Sequence, residues 1–404
     1  MVALNILVVN CGSSTVKYQL FRMEDENRYE VLAKGIVERI GIPGSRLECN
    51  HLGTSHVEER SVPNHRVALE CVVRALTEGE TRVLESTKEI EAVGHRVVHG
   101  GERFASSVVI DEEVLQVIRA CADLAPLHNP PNILGIEACR DLMPEVLQVA
   151  VFDTAFHGTL PEYAYIYAIP YEYYEKYRIR RYGFHGTSHR YVTERAAKMM
   201  GRDIKELRLI TCHMGSGVSF TAVLHGKSID TSMGFTPLEG LVMGTRCGDI
   251  DPAIVFSLMK KEGLSAEQVE EILNKKSGVL GISGISSDTR DIEDAAPHNH
   301  RARLTLEVIA YRAKKYIGAY YAILGGLDGL VFTAGIGENS SYIRKSICAG
   351  LEHLGIFIDD ERNTVRRREA FISRDDSPVK VMVIPTNEEL MIARDTWRLV
   401  RETR

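Results

Sequence analysis

No stretch of this chain is apolar for the ~18 residues that a membrane-crossing helix needs. The nearest approach, residues 316–332, is broken by glycines and by Asp328. A basic excess is also missing. Against 55 Asp and Glu stand 49 Lys and Arg, a formal net charge of −6, which argues against a general nucleic-acid binder but leaves room for a local basic pocket. None of the eight cysteines (11, 49, 71, 121, 139, 212, 247 and 348) has a C-x-x-C partner, so neither a zinc ribbon nor a thioredoxin-type motif is signalled. They read as reduced thiols of a cytosolic protein rather than a disulfide framework. The first residues lack a basic region, and the short apolar run 6–9 reads as a first strand, not a signal peptide. Ser/Pro-rich linkers and low-complexity segments are absent too, so domain boundaries must come from pattern.

What is present is ordinary for a globular protein: 44% apolar and 26% charged residues. Single cores rarely grow past ~250–300 residues, so 404 residues imply two or more domains. An internal echo supports this. Residues 6–20 and 209–223 each run from an apolar stretch through a polar residue and Gly-Ser (Gly12-Ser13, Gly215-Ser216) into alternating apolar and polar residues. That is strand, tight glycine turn, strand, and two such units suggest a duplicated domain.

Further strands are expected at 92–98, 147–152, 329–333 and 379–384. Helices are expected at 66–77, 112–122, 132–142, 191–200, 251–260, 266–274, 301–324 and 341–354. Their interleaving predicts an α/β architecture. A last helix should start at Thr386, with Glu389 reaching back in a capping box.

A nucleotide site needs backbone N–H groups aimed at phosphate oxygens. The Walker motif fails, because Thr221 stands where its first glycine should precede Gly226-Lys227-Ser228. The dinucleotide fingerprint fails at Ser340, after Gly335 and Gly337. Three glycine turns remain, at 12–14, 215–217 and 333–339. Together they suggest a nucleotide cleft between two related domains.

At this point longer motifs become specific: Val9-Asn-Cys-Gly-Ser-Ser-Thr-Val-Lys17, Gly94-His-Arg-Val-Val-His-Gly-Gly101, Pro126-Leu-His-Asn-Pro130, Phe152-Asp-Thr-Ala-Phe-His157 and Tyr182-Gly-Phe-His-Gly-Thr-Ser-His189. After them come the long run from Asp230 to Pro252, Ser286-Ser-Asp-Thr-Arg290, Gly335-Ile-Gly-Glu-Asn339 and Pro385-Thr-Asn-Glu-Glu389. The chain resembles the acetate kinase family, within the acetate and sugar kinase, Hsp70 and actin superfamily, over about residues 5–398. The resemblance implies two duplicated RNase H-like (actin-like ATPase) domains with an active-site cleft between them. Residues 1–152, completed by the helix 387–404, would form the first, and residues 153–386 the second, nucleotide-binding one. It also implies a cytoplasmic homodimer that binds neither nucleic acid nor membrane. The implied reaction is reversible, direct in-line phosphoryl transfer between ATP and acetate, with Mg2+ (or Mn2+) as cofactor.

Such a reaction brings an anion to a polyanion, so it calls for positioning and charge neutralisation, for which guanidinium forks are suited. By resemblance Arg96 and Arg246 hold the carboxylate and the migrating phosphoryl group. His185 stabilises that group, and His128 is a second pocket histidine; His95, His99 and His157 read as structural. The family often treats Asp153 as a proton acceptor. A simple carboxylic acid titrates near pH ~4, so the acceptor has no proton to give up at neutral pH, and Asp153 reads instead as orienting His185 or a metal-bound water. Asn10 and Glu388 resemble the metal pair. Lys17 and His213-Met214-Gly215-Ser216-Gly217 resemble the phosphate contacts. Asp288-Thr289-Arg290 and Gly335-Ile336-Gly337-Glu338-Asn339 resemble the adenosine contacts, with Arg290 able to lie on the base. Val98, Leu127, Phe184 and Pro237 match the walls of a small acyl pocket. Valine at 98 favours acetate over propionate, by the ~1–3 kcal/mol that one methylene is worth.

The chain departs from the family pattern at Ser216 (usually Asn), Cys247 (usually Ser), Cys11 (usually Ala) and Thr289 (usually Met). Cys247, next to Arg246, is expected to have a lowered thiol pKa and to react with thiol reagents. Two other readings are a propionate or butyrate kinase of the same superfamily and a nucleotide-driven switch or filament protein.

Overall fold

The structure is a computed structural model that describes residues 3–51, 53–79, 82–125 and 128–403. The chain forms two compact units, residues 1–158 with 387–404, and residues 159–386.

The first unit is built on an eight-stranded sheet. Its strands are β1 (Leu4–Cys11), β2 (Thr15–Met23), β3 (Tyr29–Glu38), β4 (Arg46–His51), β5 (Thr54–Glu59), β6 (Ala92–Val97), β7 (Val108–Val109) and β8 (Leu147–Phe152). Their spatial order is β5-β4-β3-β2-β1-β6-β8-β7. β1 and β2 are the expected hairpin, with Asn10 opposite Lys17 in the register. β6 then pairs parallel to β1, and β8 parallel to β6. Leu7, Val9 and Cys11 of β1 bury against Ala68, Leu69 and Val72 of the helix His65–Thr77. Each of the Val and Leu side chains among them contributes about 1.5–3 kcal/mol on burial. That helix is held at its start by the Asn64 side chain, which accepts from the Val67 N–H.

The second unit repeats the plan with β9 (Arg208–Met214), β10 (Val218–Leu224), β11 (Lys227–Thr231), β12 (Gly329–Thr333), β13 (Ala370–Phe371) and β14 (Lys380–Val383). The order is β11-β10-β9-β12-β14-β13. It matches β3-β2-β1-β6-β8-β7 strand for strand: two antiparallel pairings, two parallel ones, and a short antiparallel edge. The fold is therefore mixed α/β with an RNase H-like sheet in each unit, and β4 and β5 are additions to the first. β8, β9 and β12 are buried almost end to end, as strands covered on both faces must be.

Three local expectations need correction. Thr386 does not cap the last helix, Glu388–Thr403; the Asn387 side chain does, accepting from the Leu390 N–H at 3.1 Å. The Thr386 hydroxyl is instead 2.8 Å from Ser188 Oγ, a tertiary bond that competes with capping. Residues 333–339 are not a turn, since Ala334–Asn339 form a short helix. The helix expected from 132 begins at Asn129, with Pro130 and Pro131 in its first turn, where a missing N–H costs nothing.

Gly94 in β6 sets how closely the C-terminal helix lies on the sheet. A Cβ there would stand 2.4 Å from Thr396 Oγ1 and 2.7 Å from Ile392 Cγ2. Close seating of this helix brings Glu388, in its first turn, near the end of β6.

Candidate active site

In the first unit the predicted residues collect where β1, β6 and β8 end. Arg96, two residues beyond Gly94 on the same strand face, donates from Nη2 to Asp153 Oδ2 at 2.9 Å. Its Nε lies 3.7 Å from Glu388 Oε2. Asp153 directly follows β8, and its N–H continues the ladder to the Val97 carbonyl at 2.9 Å. The three side chains are 17% (Arg96), 1% (Asp153) and 22% (Glu388) exposed, so the ion pairs are shielded from water.

Burial disfavours the charge on Arg96, but Asp153 and Glu388 outweigh it and raise its pKa. Burial pushes Glu388 up to about 7; Arg96 opposes this, Asp153 and Glu389 add to it, and Lys17 opposes it weakly. The cluster is thus rich in carboxylate oxygen. Among the described residues no three His, Cys, Asp or Glu side chains form a metal cage. An amide oxygen from Asn10 and a carboxylate from Glu388 fit a hard divalent ion that takes one or two protein ligands and keeps its waters and phosphates.

Sequence reasoning missed the residues that tie these strand ends together. Asn132 accepts from the Val98 N–H at 3.0 Å and donates to the Cys11 carbonyl at 2.7 Å, linking the residue after β6 to the neighbour of Asn10. Asn129 does the same for His99, accepting from its N–H and donating to its carbonyl. Asn129 lies within the Pro126–Pro130 motif, where its complete burial was the missing signal. Val98 is buried, His128 is exposed at the start of the helix Asn129–Leu142, and Leu127 lies outside the described residues. His95 is a buried structural histidine paired with Gln148 at 2.7 Å.

In the second unit the predicted residues gather around the β9–β10 turn. His185 has φ +57°, a left-handed backbone rare for a residue with a side chain, at the start of the helix Gly186–Met200. Ala334, at the start of the helix Ala334–Asn339, has φ +63°. The His185 imidazole stacks on that of His213, with centroids 4.0 Å apart and planes at 16°. His213 Nδ1 is 2.8 Å from Ser188 Oγ. Gly217 is approached from two sides: a Cβ there would be 3.0 Å from Arg246 Nη2 and 3.4 Å from His185 Nε2. A Cβ here would crowd both the guanidinium and the imidazole, and glycine leaves the space over this turn to them. Met214 is buried beneath it, the Gly215 N–H donates to the Gly217 carbonyl at 3.0 Å, and the Ser216 carbonyl accepts from Gly244 at 3.0 Å.

Arg246 donates from Nη1 to the Pro237 carbonyl at 2.7 Å. Among the described residues it has no carboxylate partner, and burial lowers its pKa. Arg181, Glu239 and Tyr167 brace the Pro237 loop: Arg181 donates to the carbonyls of Thr231, Ser232 and Met233 and to Glu239, which also accepts from the Tyr167 hydroxyl. These too were missed: Arg181 and Tyr167 lie outside the quoted motifs, and Glu239, inside the run from Asp230 to Pro252, gives no local sign of its partners. Phe184 is buried.

Asp288 caps the helix Thr289–Ala295 by accepting from the Arg290 N–H at 2.9 Å, and it holds the Arg290 fork, whose side chain is 84% exposed. Thr289 is buried. Glu338 accepts from the Thr386 N–H at 3.2 Å, and burial raises its pKa. Asn339 donates to the Gly335 carbonyl, closing the short helix that contains Ile336 and Gly337. Gly335 is exposed and would meet nothing within 4 Å if given a Cβ.

Cys247 departs from its expectation. Burial, the dominant influence, raises its thiol pKa, Asp249 adds to the rise, and the Sγ donates to the Gly248 carbonyl at 3.1 Å. The neighbouring Arg246 turns toward Pro237 and brings no lowering.

The sequence profile of the Acetokinase family matches residues 5–394. The chain is similar to the acetate kinase of Dictyoglomus thermophilum, 61% identical over 98% of this chain and 99% of that one. It is also similar to that of Thermotoga maritima, 58% identical over 99% of each. Among solved structures it is similar to Porphyromonas gingivalis acetate kinase, with TM-score 0.94 and 49% identity over 98% of this chain and 100% of that one. A propionate kinase from Francisella tularensis matches with TM-score 0.91 and 44% identity over 98% and 100% of the two chains.

Proposed function

The chain belongs to the acetokinase family, a family of ATP-using kinases, and we propose that it transfers the terminal phosphoryl group of ATP reversibly to acetate, giving ADP and acetyl phosphate. The observation that carries this reading is Arg246, a half-buried guanidinium with one neutral acceptor and no carboxylate among the described residues, beside His185 at a glycine turn. A cation kept short of partners in a shielded place is suited to an anionic ligand.

A carboxylate oxygen of acetate attacks the γ-phosphorus as the bond from that phosphorus to the β–γ bridging oxygen breaks, and ADP leaves with that electron pair. Acetate arrives as an anion, so no base is required. Arg96 and Arg246 hold the carboxylate and the migrating group, and His185 donates to the latter. Asp153 orients the Arg96 fork, which the 2.9 Å bond between them supports. Lys17 and residues 213–217 contact the phosphates; residues 288–290 and 335–339 contact adenosine. By the family resemblance, Val98, His128, Phe184 and Pro237 would be the groups that meet the methyl group.

Asn10 and Glu388 would hold Mg2+, which when bound neutralises charge on the phosphate oxygens. We also propose a cytoplasmic homodimer. Exposed Ile254 and Phe256 on the helix Ala253–Glu262, and exposed Leu304 and Tyr311 on one side of the helix His300–Leu324, are apolar surface that a second copy would cover.

The test is an acyl-phosphate assay with hydroxylamine as trap, run with ATP, Mg2+ and acetate or propionate. Hydroxamate formation with the higher kcat/KM for acetate is the expected result. ATP hydrolysis without hydroxamate would overturn the proposal.

A further inference from the structure

Among the described residues, Ser219 in β10 makes two side-chain hydrogen bonds, both to imidazoles: its Oγ is 2.8 Å from His185 Nδ1 and 2.8 Å from His189 Nε2. The other nitrogen of His189, Nδ1, is 2.7 Å from Thr211 Oγ1 in β9. Ser219, His189 and Thr211 are wholly buried.

A hydroxyl has one proton to donate and two lone pairs to accept with. Among the described residues, the Thr211 side chain bonds only to His189 Nδ1. Its buried proton would lack an acceptor if it pointed elsewhere, which is costly. Thr211 therefore donates to His189 Nδ1. That leaves the His189 proton on Nε2, where it donates to Ser219 Oγ. The Ser219 proton then has one place to go, His185 Nδ1. His185 in turn carries its proton on Nε2, the nitrogen that lies with Arg246 Nη2 over Gly217.

We propose that Thr211, His189 and Ser219 are positioning residues that hold His185 in its Nε2–H tautomer. The imidazole then presents a donor, not a lone pair, to a phosphoryl group. No proton moves along the array; it is preorganised before substrate arrives, and two of its members stand on rigid strands. The catalytic consequence rests on the phosphoryl transfer proposed above, whereas the tautomer does not.

The first measurement is a two-bond 15N–1H correlation spectrum of the full chain labelled at histidine, without ligands, with His185 assigned by loss of its signals in His185→Gln. Nε2 protonated and Nδ1 bearing a lone pair is the expected pattern. A neutral His185 protonated at Nδ1 overturns the proposal, whether or not the protein is a kinase. The second measurement is acyl-phosphate formation by Ser219→Ala and Ser219→Thr. Ser219→Ala should lower kcat roughly 10- to 100-fold, as loss of outer partners that orient a histidine does elsewhere. KM for acetate and ATP should stay within about threefold, and Ser219→Thr should recover part of kcat. An unchanged kcat in a folded Ser219→Ala protein overturns the catalytic consequence. Should the variants fail to fold, the wild-type spectrum still decides the tautomer.

Discussion

Arg96 and Asp153 form a shielded ion pair, Nη2 to Oδ2 at 2.9 Å, with the carboxylate 1% exposed. Removing the cation leaves a buried carboxylate without its guanidinium, a change that typically costs about 3–5 kcal/mol. Arg96→Ala should therefore lose stability by about 3 kcal/mol as well as nearly all acyl-phosphate formation. Arg96→Ala with Asp153→Asn should regain most of the stability and none of the activity. Urea unfolding beside the hydroxylamine assay separates the two effects; a double variant as unstable as the single one would show that the pair does not govern stability.

Arg246 predicts the opposite balance. Its guanidinium is half-buried with one neutral acceptor, so Arg246→Ala should cost less than about 1 kcal/mol in stability, or gain a little. Turnover should fall by about 10²- to 10³-fold, the scale on which a charge-stabilising donor acts. Inorganic phosphate should raise the Tm of the unaltered protein and leave that of Arg246→Ala unmoved, because a ligand stabilises only the state that binds it. Equal shifts in both proteins would place the anion elsewhere.

His95 makes stability depend on pH. Burial, the largest influence, lowers its pKa from 6.5 to about 4; the Gln148 hydrogen bond partly opposes this. The folded state therefore favours neutral imidazole. The contribution is present above the unfolded pKa of 6.5 and is lost as pH falls toward 4, by up to about 3 kcal/mol. A His95→Gln variant should show a shallower fall in stability between those pH values. Parallel curves for the two proteins would rule His95 out as the source.

Cys247 should resist alkylation near neutral pH, because burial holds its thiol above the ordinary 9.0. Mass spectrometry after iodoacetamide should find little label there at pH 7 and more as pH passes 9, whereas rapid neutral-pH labelling would contradict the raised pKa. Cys247→Ser should keep most activity.

The legible parts of this chain were those whose signal is local. Leu147–Phe152 and Gly329–Thr333 are short, mostly apolar runs, the first interrupted only by Gln148, and form strands with the expected limits. Both glycine hairpins are there. Thr54–Glu59 escaped notice because an exposed edge strand needs no apolar alternation. The capping role of Thr386 failed because Ser188, 198 residues away, takes its hydroxyl. Asn129, Asn132 and Ser219 act through partners that only strand pairing and helix docking bring near, so their roles are not written in local sequence, even for Asn129 inside a quoted motif.

Gly94 offers the sharpest test of how packing sets the first half of the site. The Cβ of Gly94→Ala would stand 2.4 Å from Thr396 Oγ1 and 2.7 Å from Ile392 Cγ2, inside any normal contact, so the C-terminal helix must move away from β6. Overpacking of this kind costs about 1–3 kcal/mol. Glu388 rides on the first turn of that helix, and Arg96 lies two residues along β6, so the shift should also disturb their 3.7 Å approach. The variant should lose stability together with Mg2+-dependent turnover, with its apparent KM for Mg2+ rising more than that for acetate. Adding Thr396→Ala removes the nearer clash and leaves Ile392 Cγ2, so it should restore both properties in part and in proportion. Restored stability without restored turnover would mean that helix seating does not control the position of Glu388.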